Sequence, residues 1–370
     1  MSLTSYTIAL IPGDGIGPEI TEQAVHALDA ACAAVGIELV YERLGSSAAQ
    51  WRRTGTVMTD AEFGHCQAAD AIFLGALGLP EARHPDGTEV MGDAMFRLRF
   101  DLDLYAGVRP VRSYPGVPGK LADSGGIDYV VVRENVEGLY ASRGGGINIR
   151  DEIATDTLVI SRVGTEKVVR RAFAIAESRA KARGADVGGE AVVTCVDKAN
   201  VLSSYAFFRK VFNETAAEFP GIGTDRMYVD AMAAYQVTRP QALDVLVAEN
   251  MFGDIISDLS AATVGGLGMA PSGDIGDRHG LFQPAHGSAP DIAGEGIANP
   301  AAAILSAGML LRWLGDERGD DAARRGADLI DGAVADALAS GEAGTRDIGG
   351  TVGTAQAGEA VISRIRKAGA

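Results

Sequence analysis

The stretch DVLVAENMFGDIISDLSA, residues 244–261, joins two patterns that decide the fold class. Residues 245–248 are continuously apolar, which is typical of a short strand buried on both faces of a parallel sheet. The residues that follow place Asp254 and Asp258 four positions apart, with two isoleucines between them. Because four residues make about one helical turn, this spacing predicts a helix with both carboxylates on one face. A buried strand leading directly into a helix indicates an α/β protein.

Similar apolar runs recur along the chain and are followed by turn signals or helical patterns. They are YTIALIPGDG (6–15), AIFLGALG (71–78), DYVVVREN (128–135) and AVVTCVDKAN (191–200). The segment PEITEQAVHALDAACAAVG has a helical period, with Pro18 near its start and Gly36 at its end, as helix termini prefer. The alternation predicts an α/β fold with helices flanking a largely parallel sheet.

Composition excludes several classes of protein. The chain has 370 residues, 47% of them hydrophobic, which is enough for two domains. Its net charge of −16 argues against nucleic acid or an anionic membrane as a partner. No stretch has the length of a membrane span or the pattern of a signal peptide. Cys32, Cys66 and Cys195 are too few and too scattered for a disulfide framework or a zinc site, so we expect buried thiols in a soluble cytoplasmic protein.

Two carboxylates on one helix face repel each other unless a cation lies between them. Oxygen ligands favour Mg²⁺ or Mn²⁺. The alternative for Asp254 and Asp258 is a pair of solvated acids on an exposed face. A third acid, Asp230, follows a strand-like segment and opens a helical pattern, where it could serve as a ligand or as an N-cap.

Further polar residues follow the predicted strands. Lys198 comes after AVVTCVD, while Arg133 and Tyr140 follow DYVVV, and RLRFDLDLYAGVRP supplies Arg99 and Arg109. Taken singly, each is more often a surface side chain than a ligand. Together with the three aspartates they could clamp a dicarboxylate, hold a metal and move protons.

Six motifs, in this order, resemble those of the metal-dependent β-decarboxylating dehydrogenases, which include 3-isopropylmalate, isocitrate, homoisocitrate and tartrate/D-malate dehydrogenases. They are IPGDGIGPE (11–19), VRENVEGLY (132–140), DKANVL (197–202), GDIISDLSA (253–261), GGLGMAPSG (265–273) and HGSAPDIAGEGIANP (286–300). The glycine spacing of GDGIG does not match the Rossmann fingerprint. The resemblance implies an isopropylmalate-dehydrogenase-like, non-Rossmann two-domain α/β fold with mostly parallel central sheets.

The resemblance also implies a domain division and a homodimer. Residues 1–104 and 265–370 would form the large cofactor-binding domain. Residues 105–264 would form an inserted small domain that makes the dimer contact and carries substrate and metal residues. The active site would draw on both subunits of the dimer.

Roles carried over from this resemblance fall on matching positions. Arg99, Arg109 and Arg133 resemble the clamp on the malate carboxylates, and Tyr140 the proton donor to the enolate. Lys198 of the partner subunit resembles the general base. Asp254 and Asp258, with Asp230 of the partner subunit, resemble the ligands of Mg²⁺ or Mn²⁺. The implied reaction transfers hydride from the substrate's hydroxyl-bearing carbon to NAD and then loses CO₂ with the metal's assistance.

The segment HGSAPDIAGEGIANP resembles the adenosine-binding loop of this family. Asp291 followed by Ile292 is the NAD-type pair, whereas NADP-type members carry Lys-Tyr. A carboxylate there accepts hydrogen bonds from the ribose hydroxyls and repels a 2′-phosphate. The other matching cofactor positions are Leu267, Gly268, His286, Gly287, Ser288, Ala289 and Asn299.

Substrate choice in this family depends on the helix before Arg99. At about 100° per residue, Met95 and Phe96 lie about 40° and 60° from Arg99, while Arg97 lies about 160° away. An apolar pair favours an alkyl substituent, as in 3-isopropylmalate, or a small substrate. D-malate or tartrate, and homoisocitrate or isocitrate, remain alternatives.

Some positions depart from the family's usual pattern. Gln283 stands where glutamate is usual, and Gly107 replaces a common asparagine. A non-catalytic regulatory homologue is the rival of another class, but such subunits lose clamp or metal residues, all of which are present here. A simple dinucleotide-binding module would leave the three aspartates unexplained.

Overall fold

The computed structural model describes residues 4–184 and 191–370. The strands are β1 Thr4–Gly13, β2 Ile37–Arg43, β3 Ala71–Ala76, β4 Ala106–Arg112, β5 Asp128–Glu134, β6 Ile147–Ile149, β7 Ile153–Thr155, β8 Val192–Asp197, β9 Gly223–Tyr228, β10 Val245–Ala248, β11 Pro271–Ile275 and β12 Gly280–Pro284. The helices are α1 Gly17–Val35, α2 Ala48–Thr54, α3 Asp60–Ala68, α4 Met91–Asp101, α5 Arg162–Ala182, α6 Ser203–Ala216, α7 Val229–Thr238, α8 Asn250–Thr263, α9 Ala301–Arg318, α10 Asp321–Ala339 and α11 Thr354–Ala368. Within this described part, no helix is both long enough and apolar enough to cross a membrane.

The chain divides into two compact units. Unit 1 contains Met1–Asp103, Ser113–Gly125 and Val264–Ala370, and unit 2 contains Leu104–Arg112 and Gly126–Thr263. Residues 113–125, expected in the inserted domain, pack with unit 1. A Cβ atom on Gly116 would lie 2.2 Å from the carbonyl oxygen of Leu338, so this turn fits against the end of α10 only because it carries a glycine at positive φ.

In unit 1 the strands lie in the order β2-β1-β3-β12-β11. All adjacent pairs are parallel except β11 with β12, which is antiparallel. Helix α1 starts with Pro18 in its first turn and ends at Gly36, whose φ of 77° allows its N–H to reach the carbonyl of Cys32. Helix α9 is buried nearly all round, with Ile304, Leu310 and Leu314 fully inaccessible. Each such side chain stabilises the unit by roughly 1.5–3 kcal/mol.

In unit 2 the strands lie in the order β4-β5-β10-β8-β9. Strand β4 is antiparallel to β5, and the remaining pairs are parallel. Strands β5, β8 and β10 are the buried apolar runs that the sequence predicts as strands. The predicted α/β fold, mostly parallel and flanked by helices, is therefore confirmed.

Strands β6 and β7 form a small antiparallel arm in unit 2. All six of their residues are exposed, and Ile147, Ile149 and Ile153 present apolar side chains to solvent. The three cysteines are buried and unpaired, as predicted.

Candidate active site

Helix α8 places the two aspartates of the opening motif on one face. Glu249, buried just before the helix, accepts a hydrogen bond from the backbone N–H of Met251 at 3.2 Å. This bond satisfies one of the first-turn N–H groups that have no partner within the helix. Ile256 packs inward at 0% exposure, whereas Ile255 is 59% exposed. The two isoleucines differ because neighbours on a helix point about 100° apart.

Arg133, at the end of β5, is the central cation of this site. Its Nε and Nη2 donate to Asn250 Oδ1 at 3.0 and 2.8 Å, and its Nη1 donates to Asp254 Oδ1. Only 3% of the side chain is exposed. The Tyr140 ring centroid lies 5.4 Å from the Arg133 guanidinium carbon, and the tyrosine hydroxyl donates to Asp254 Oδ2 at 3.2 Å. The asparagine Asn250 was not anticipated from the sequence.

Arg109 reaches the same aspartates from β4. Its Nη1 donates to Ser257 Oγ at 2.8 Å and to Asp258 Oδ1 at 3.2 Å, and its Nη2 lies 3.4 Å from Asp254 Oδ1. Antiparallel pairing places it opposite Val131, two residues before Arg133, so both arginines lie on one face of the sheet.

The structure thus brings together Arg109, Arg133, Tyr140, Asp254 and Asp258, here called the α8 cluster. The pKa of Asp258 is raised, chiefly because its carboxyl group is partly removed from water; Arg109 opposes this effect and Asp254 adds to it. The cluster combines guanidinium groups suited to a bound carboxylate with two oxygen ligands suited to a divalent cation.

Lys198 and Asp230 form a separate pair in unit 2. Strands β8 and β9 are parallel neighbours, so Lys198 after β8 and Asp230 in the first turn of α7 emerge side by side. Lys198 Nζ lies 2.5 Å from Asp230 Oδ1, and this hydrogen bond is the main cause of the lowered pKa of Asp230. The side chain of Asp230 binds Lys198, and the N-cap position belongs to Tyr228 instead.

Arg209 of α6 contacts the residues that precede Lys198 and α7. It forms a bidentate ion pair with the buried Asp197, at 2.7 and 2.8 Å, and its guanidinium carbon lies 5.0 Å from the ring centroid of Tyr228. These contacts fix the residues immediately before Lys198 and α7. Nothing local in the sequence of α6 indicates this role, whereas the position of Asp197 beside Lys198 is a usable signal.

The three predicted metal ligands do not meet within one chain. Over residues 4–184 and 191–370, no group of three or more His, Cys, Asp or Glu side chains is arranged to hold a metal ion. Asp254 and Asp258 lie in the α8 cluster, while Asp230 binds Lys198.

The remaining predicted substrate residues lie on α4 of unit 1. Arg99 is 8% exposed, and its Nε donates to the buried Asp274 at 2.9 Å. Met95 is also buried, and the Phe96 ring packs on Phe100 with centroids 5.5 Å apart. Arg97 points elsewhere, as expected, and pairs with Asp60 on α3 at 2.7 Å.

Most predicted cofactor residues line one cavity of about 470 Å³ in unit 1. They are Leu267, Gly268, His286, Gly287, Ala289, Ile292 and Asn299, joined by Ile16, Ile297, Ala298, Arg346 and Asp347. Ser288 supports the loop from the other side, because its hydroxyl donates to the carbonyl of Gly78. Asp291 is exposed beside Ile292. A second concavity, of about 510 Å³, is lined by residues around Gly116 and Gly349 and carries no titratable side chain.

His286 and Asp347 provide the polar groups of the cofactor cavity. Burial lowers the pKa of His286, because it disfavours the charged imidazolium, and the buried Nε2 has no hydrogen-bond partner within the described ranges. Asp347 accepts hydrogen bonds from Asn299 at 3.0 Å and from the hydroxyl of Thr345 at 2.6 Å. Arg346 and Asp347 were not predicted from the sequence.

Comparison with known proteins identifies the family of the chain. The family model described as isocitrate/isopropylmalate dehydrogenase matches residues 7–361. A 3-isopropylmalate/3-methylmalate dehydrogenase of Methanocaldococcus jannaschii is 42% identical over 98% of this chain and 99% of its own. A 3-isopropylmalate dehydrogenase of Corynebacterium aurimucosum is 42% identical over 92% of this chain and 95% of its own.

A solved structure extends the comparison to the fold. The crystal structure of isocitrate dehydrogenase from Methylococcus capsulatus has a TM-score of 0.83 and 36% identity, and the match covers 98% of this chain and 99% of that one. The expected isopropylmalate-dehydrogenase-like fold is confirmed. The chain belongs to the isocitrate/isopropylmalate dehydrogenase family and is a decarboxylating dehydrogenase of that family.

Proposed function

We propose that the chain catalyses the NAD-dependent oxidative decarboxylation of a (2R)-malate-type 2-hydroxy dicarboxylic acid, with 3-isopropylmalate as the first candidate. The observation that carries this proposal is the α8 cluster, in which two guanidinium groups and a tyrosine hydroxyl contact two carboxylates of one helix face. Few other reactions need a carboxylate clamp, two hard oxygen ligands and a proton donor in one place.

The aspartates of the cluster suit a divalent cation. Asp254 and Asp258 are two oxygen ligands on one helix face, and the raised pKa of Asp258 reflects charge repulsion between them as well as burial. Asp254 and Asp258, completed by Asp230 of the partner subunit, would hold Mg²⁺ or Mn²⁺. When bound, such a metal polarises the carbonyl oxygen of the oxidised substrate and stabilises the negative charge that CO₂ loss leaves there.

The protein's own residues would then position the substrate and move protons. Arg109 and Arg133 present N–H donors to substrate carboxylates, and Arg99 supplies a third guanidinium. The partner subunit's Lys198 would accept the hydroxyl proton as a neutral amine, once it has left its ion pair with the partner subunit's Asp230 and given up its own proton. The hydroxyl oxygen of Tyr140 lies 3.2 Å from Asp254 Oδ2, to which it donates, and the hydroxyl would give its proton to the enolate carbon.

The cavity of unit 1 suits NAD. Its apolar lining accommodates an adenine ring, and the buried His286 Nε2 lacks the partner that a bound polar group would provide. Asp291, exposed beside Ile292, carries a negative charge that would disfavour a 2′-phosphate. When bound, NAD accepts the hydride. On this basis unit 1 would be the cofactor-binding domain and unit 2 the domain of substrate and metal.

Apolar groups near Arg99 support an alkyl-substituted substrate. Met95 and Phe96 offer no partner for a third carboxylate, and two relatives carry 3-isopropylmalate in their names, one of them together with 3-methylmalate. D-malate or tartrate, and homoisocitrate or isocitrate, are the alternatives. A non-catalytic role is disfavoured, because every clamp, acid–base and metal position is filled.

A homodimer is part of the proposal. Ile255 of α8 and Val237 of the adjacent α7 are 59% and 47% exposed, and such apolar side chains are expected where a second copy packs. The exposed isoleucines of the β6–β7 arm add a further apolar surface in unit 2.

A substrate panel tests the proposed reaction. The purified protein, with NAD and Mn²⁺, is given (2R)-malates bearing isopropyl, methyl, carboxymethyl, carboxyethyl, hydroxyl or hydrogen at C3, and NADH formation is followed by absorbance. We expect the isopropyl compound to react fastest, whereas faster tricarboxylates would refute the role given to Met95 and Phe96.

Asp254→Asn should lower metal-dependent turnover by about a hundredfold or more and leave NAD binding intact. Asp336→Asn, an exposed site in unit 1, is the control.

A further inference from the structure

Asp274 is a carboxylate that the fold hides completely from solvent. It lies on β11 at 0% exposure, and its Oδ2 accepts a hydrogen bond from Arg99 Nε at 2.9 Å. The amide Nε2 of Gln283 donates to the same oxygen at 3.3 Å. In the antiparallel pairing Asp274 lies opposite Leu281, so Gln283, two residues further along β12, faces the same side.

The contact matters because it restricts a long cationic side chain. A free arginine loses considerable rotamer entropy when it binds a ligand, and a buried guanidinium without a counter-charge is strongly destabilised. A buried carboxylate bound to Nε overcomes both costs before the substrate arrives. A guanidinium can bind a carboxylate through its two terminal Nη groups. Holding Nε in place therefore fixes the direction in which these two donors point.

The side chain at position 283 completes this arrangement. Its neutral amide donates to Asp274, whereas a carboxylate there would place a second negative charge about one hydrogen-bond length from the first. This chain carries the neutral side chain at 283 on β12 and the buried carboxylate at 274 on the neighbouring strand β11.

We propose that Asp274 is a positioning residue that acts through Arg99, and that the Asp274–Gln283 pair works as one unit in which a single negative charge fixes this arginine for the substrate carboxylate. The inference rests on the proposed function, since it assigns Arg99 to the substrate. It predicts that the charge can be moved to the other strand: Asp274→Asn and Gln283→Glu are each harmful alone, and together they compensate.

Steady-state kinetics of the metal- and NAD-loaded enzyme test this, with the malate that the native protein oxidises fastest. We expect Asp274→Asn to raise KM for the hydroxy-diacid by about tenfold to a hundredfold, the range of a lost hydrogen bond to a charged group, with KM for NAD within about twofold. Gln283→Glu should also raise the hydroxy-diacid KM. The double variant Asp274→Asn/Gln283→Glu should recover most of the native value, and Asp336→Asn should match the native protein.

The outcomes separate this inference from the proposed function. A native protein that oxidises no malate of the panel refutes the proposed function. An active native protein with an unchanged hydroxy-diacid KM in Asp274→Asn, or a double variant no better than Gln283→Glu, refutes the positioning role alone. If Asp274→Asn does not fold, the comparison of Gln283→Glu with the double variant still decides, because a merely structural defect would not be repaired specifically in the hydroxy-diacid KM.

Discussion

At the scale of single residues, Glu134 shows how burial next to a functional side chain changes a carboxyl group. It follows Arg133 at the end of β5 and is 2% exposed. Burial is the largest cause of its pKa being raised to about 8, and the nearby Glu137 and Glu249 add to the rise, although backbone N–H groups oppose it. The folded protein therefore keeps on Glu134 a proton that the unfolded chain releases above the ordinary glutamate pKa of 4.5.

This proton makes stability depend on pH in a defined direction. Because the folded pKa lies above the unfolded one, the contribution of Glu134 is fully present below pH 4.5 and is lost as pH rises through about 8. Glu134→Gln removes this titration, so the variant does not lose the stability that the native protein loses as pH rises. Between about pH 4.5 and 8, the free energy of unfolding of the variant minus that of the native protein should therefore rise by about 1.4 kcal/mol per pH unit. Calorimetry from pH 5 to 9 should show the Tm difference rising by about 1–3 °C per pH unit.

Glu218 provides a control whose titration lies outside this range. It is an exposed glutamate whose pKa is lowered, chiefly by its hydrogen bond from Arg170, so its contribution is fully present above pH 4.5 and is lost only as pH falls below that value. The Tm difference of Glu218→Gln should therefore stay flat from pH 5 to 9. A Tm difference for Glu134→Gln that stayed flat across the range would show that the carboxyl is already ionised in the folded protein at pH 5.

Residues of the site differ in how far the sequence predicts them. Asp254 and Asp258 are four apart, so helical geometry alone places them on one face. The Arg99–Asp274 ion pair joins residues 175 positions apart, and no local pattern in the chain contains it. Glu134 looks like any polar residue after an apolar run, and its burial depends on which elements pack over it.

At the scale of elements, the packing of α8 against β5 depends on Gly253. A Cβ atom at this position would lie 2.8 Å from both Cβ and Cγ of Arg133 and 3.1 Å from its Cα. These distances are shorter than van der Waals contact, and the stem of Arg133 is held in place by Asn250. A side chain at 253 would therefore displace either the helix or the arginine.

We expect Gly253→Ala to lower kcat/KM for the hydroxy-diacid by about tenfold or more and to lower Tm, since overpacking a core typically costs about 1–3 kcal/mol. The matched control is Gly332→Ala in α10, where nothing lies within 4 Å of the new Cβ. That change should stabilise the protein by about 0.5–1 kcal/mol through helix propensity. Native kinetics in Gly253→Ala would mean that Arg133 tolerates the shift.

Elements were predicted where their signal is local. The buried parallel strands β5, β8 and β10 are continuous apolar runs, and α1 carries Pro18 and Gly36 at its ends. Strand β4 contains Pro110 and two arginines, so its sequence does not predict a strand. Antiparallel pairing with β5 stabilises its extended conformation. The arm of β6 and β7 is too short and too exposed to leave a hydrophobic pattern.

At the scale of the whole molecule, the acid–base residues fall into two groups that one chain does not combine. Asp254 and Asp258 lie in the α8 cluster, whereas Lys198 and Asp230 pair with each other. In the described parts of the chain no three acidic, histidine or cysteine side chains surround a possible metal position. This division supports the proposal that each active site takes its α8 cluster from one subunit and Lys198 with Asp230 from the other.

Complementation between two inactive variants tests this division. Asp254→Asn disables the α8 cluster, and Lys198→Met disables the base of the neighbouring site. In a hybrid dimer one site carries both changes and the other carries neither. Random pairing makes half of the dimers hybrid, so co-expression should restore about a quarter of the native activity per subunit. The control combines Asp254→Asn with Asp258→Asn: both changes lie in the α8 cluster, no hybrid contains an intact site, and activity should stay absent. Recovery in neither mixture would show that each active site is built within one chain. Recovery in the control as well would show that Asp254 and Asp258 do not serve the same active site.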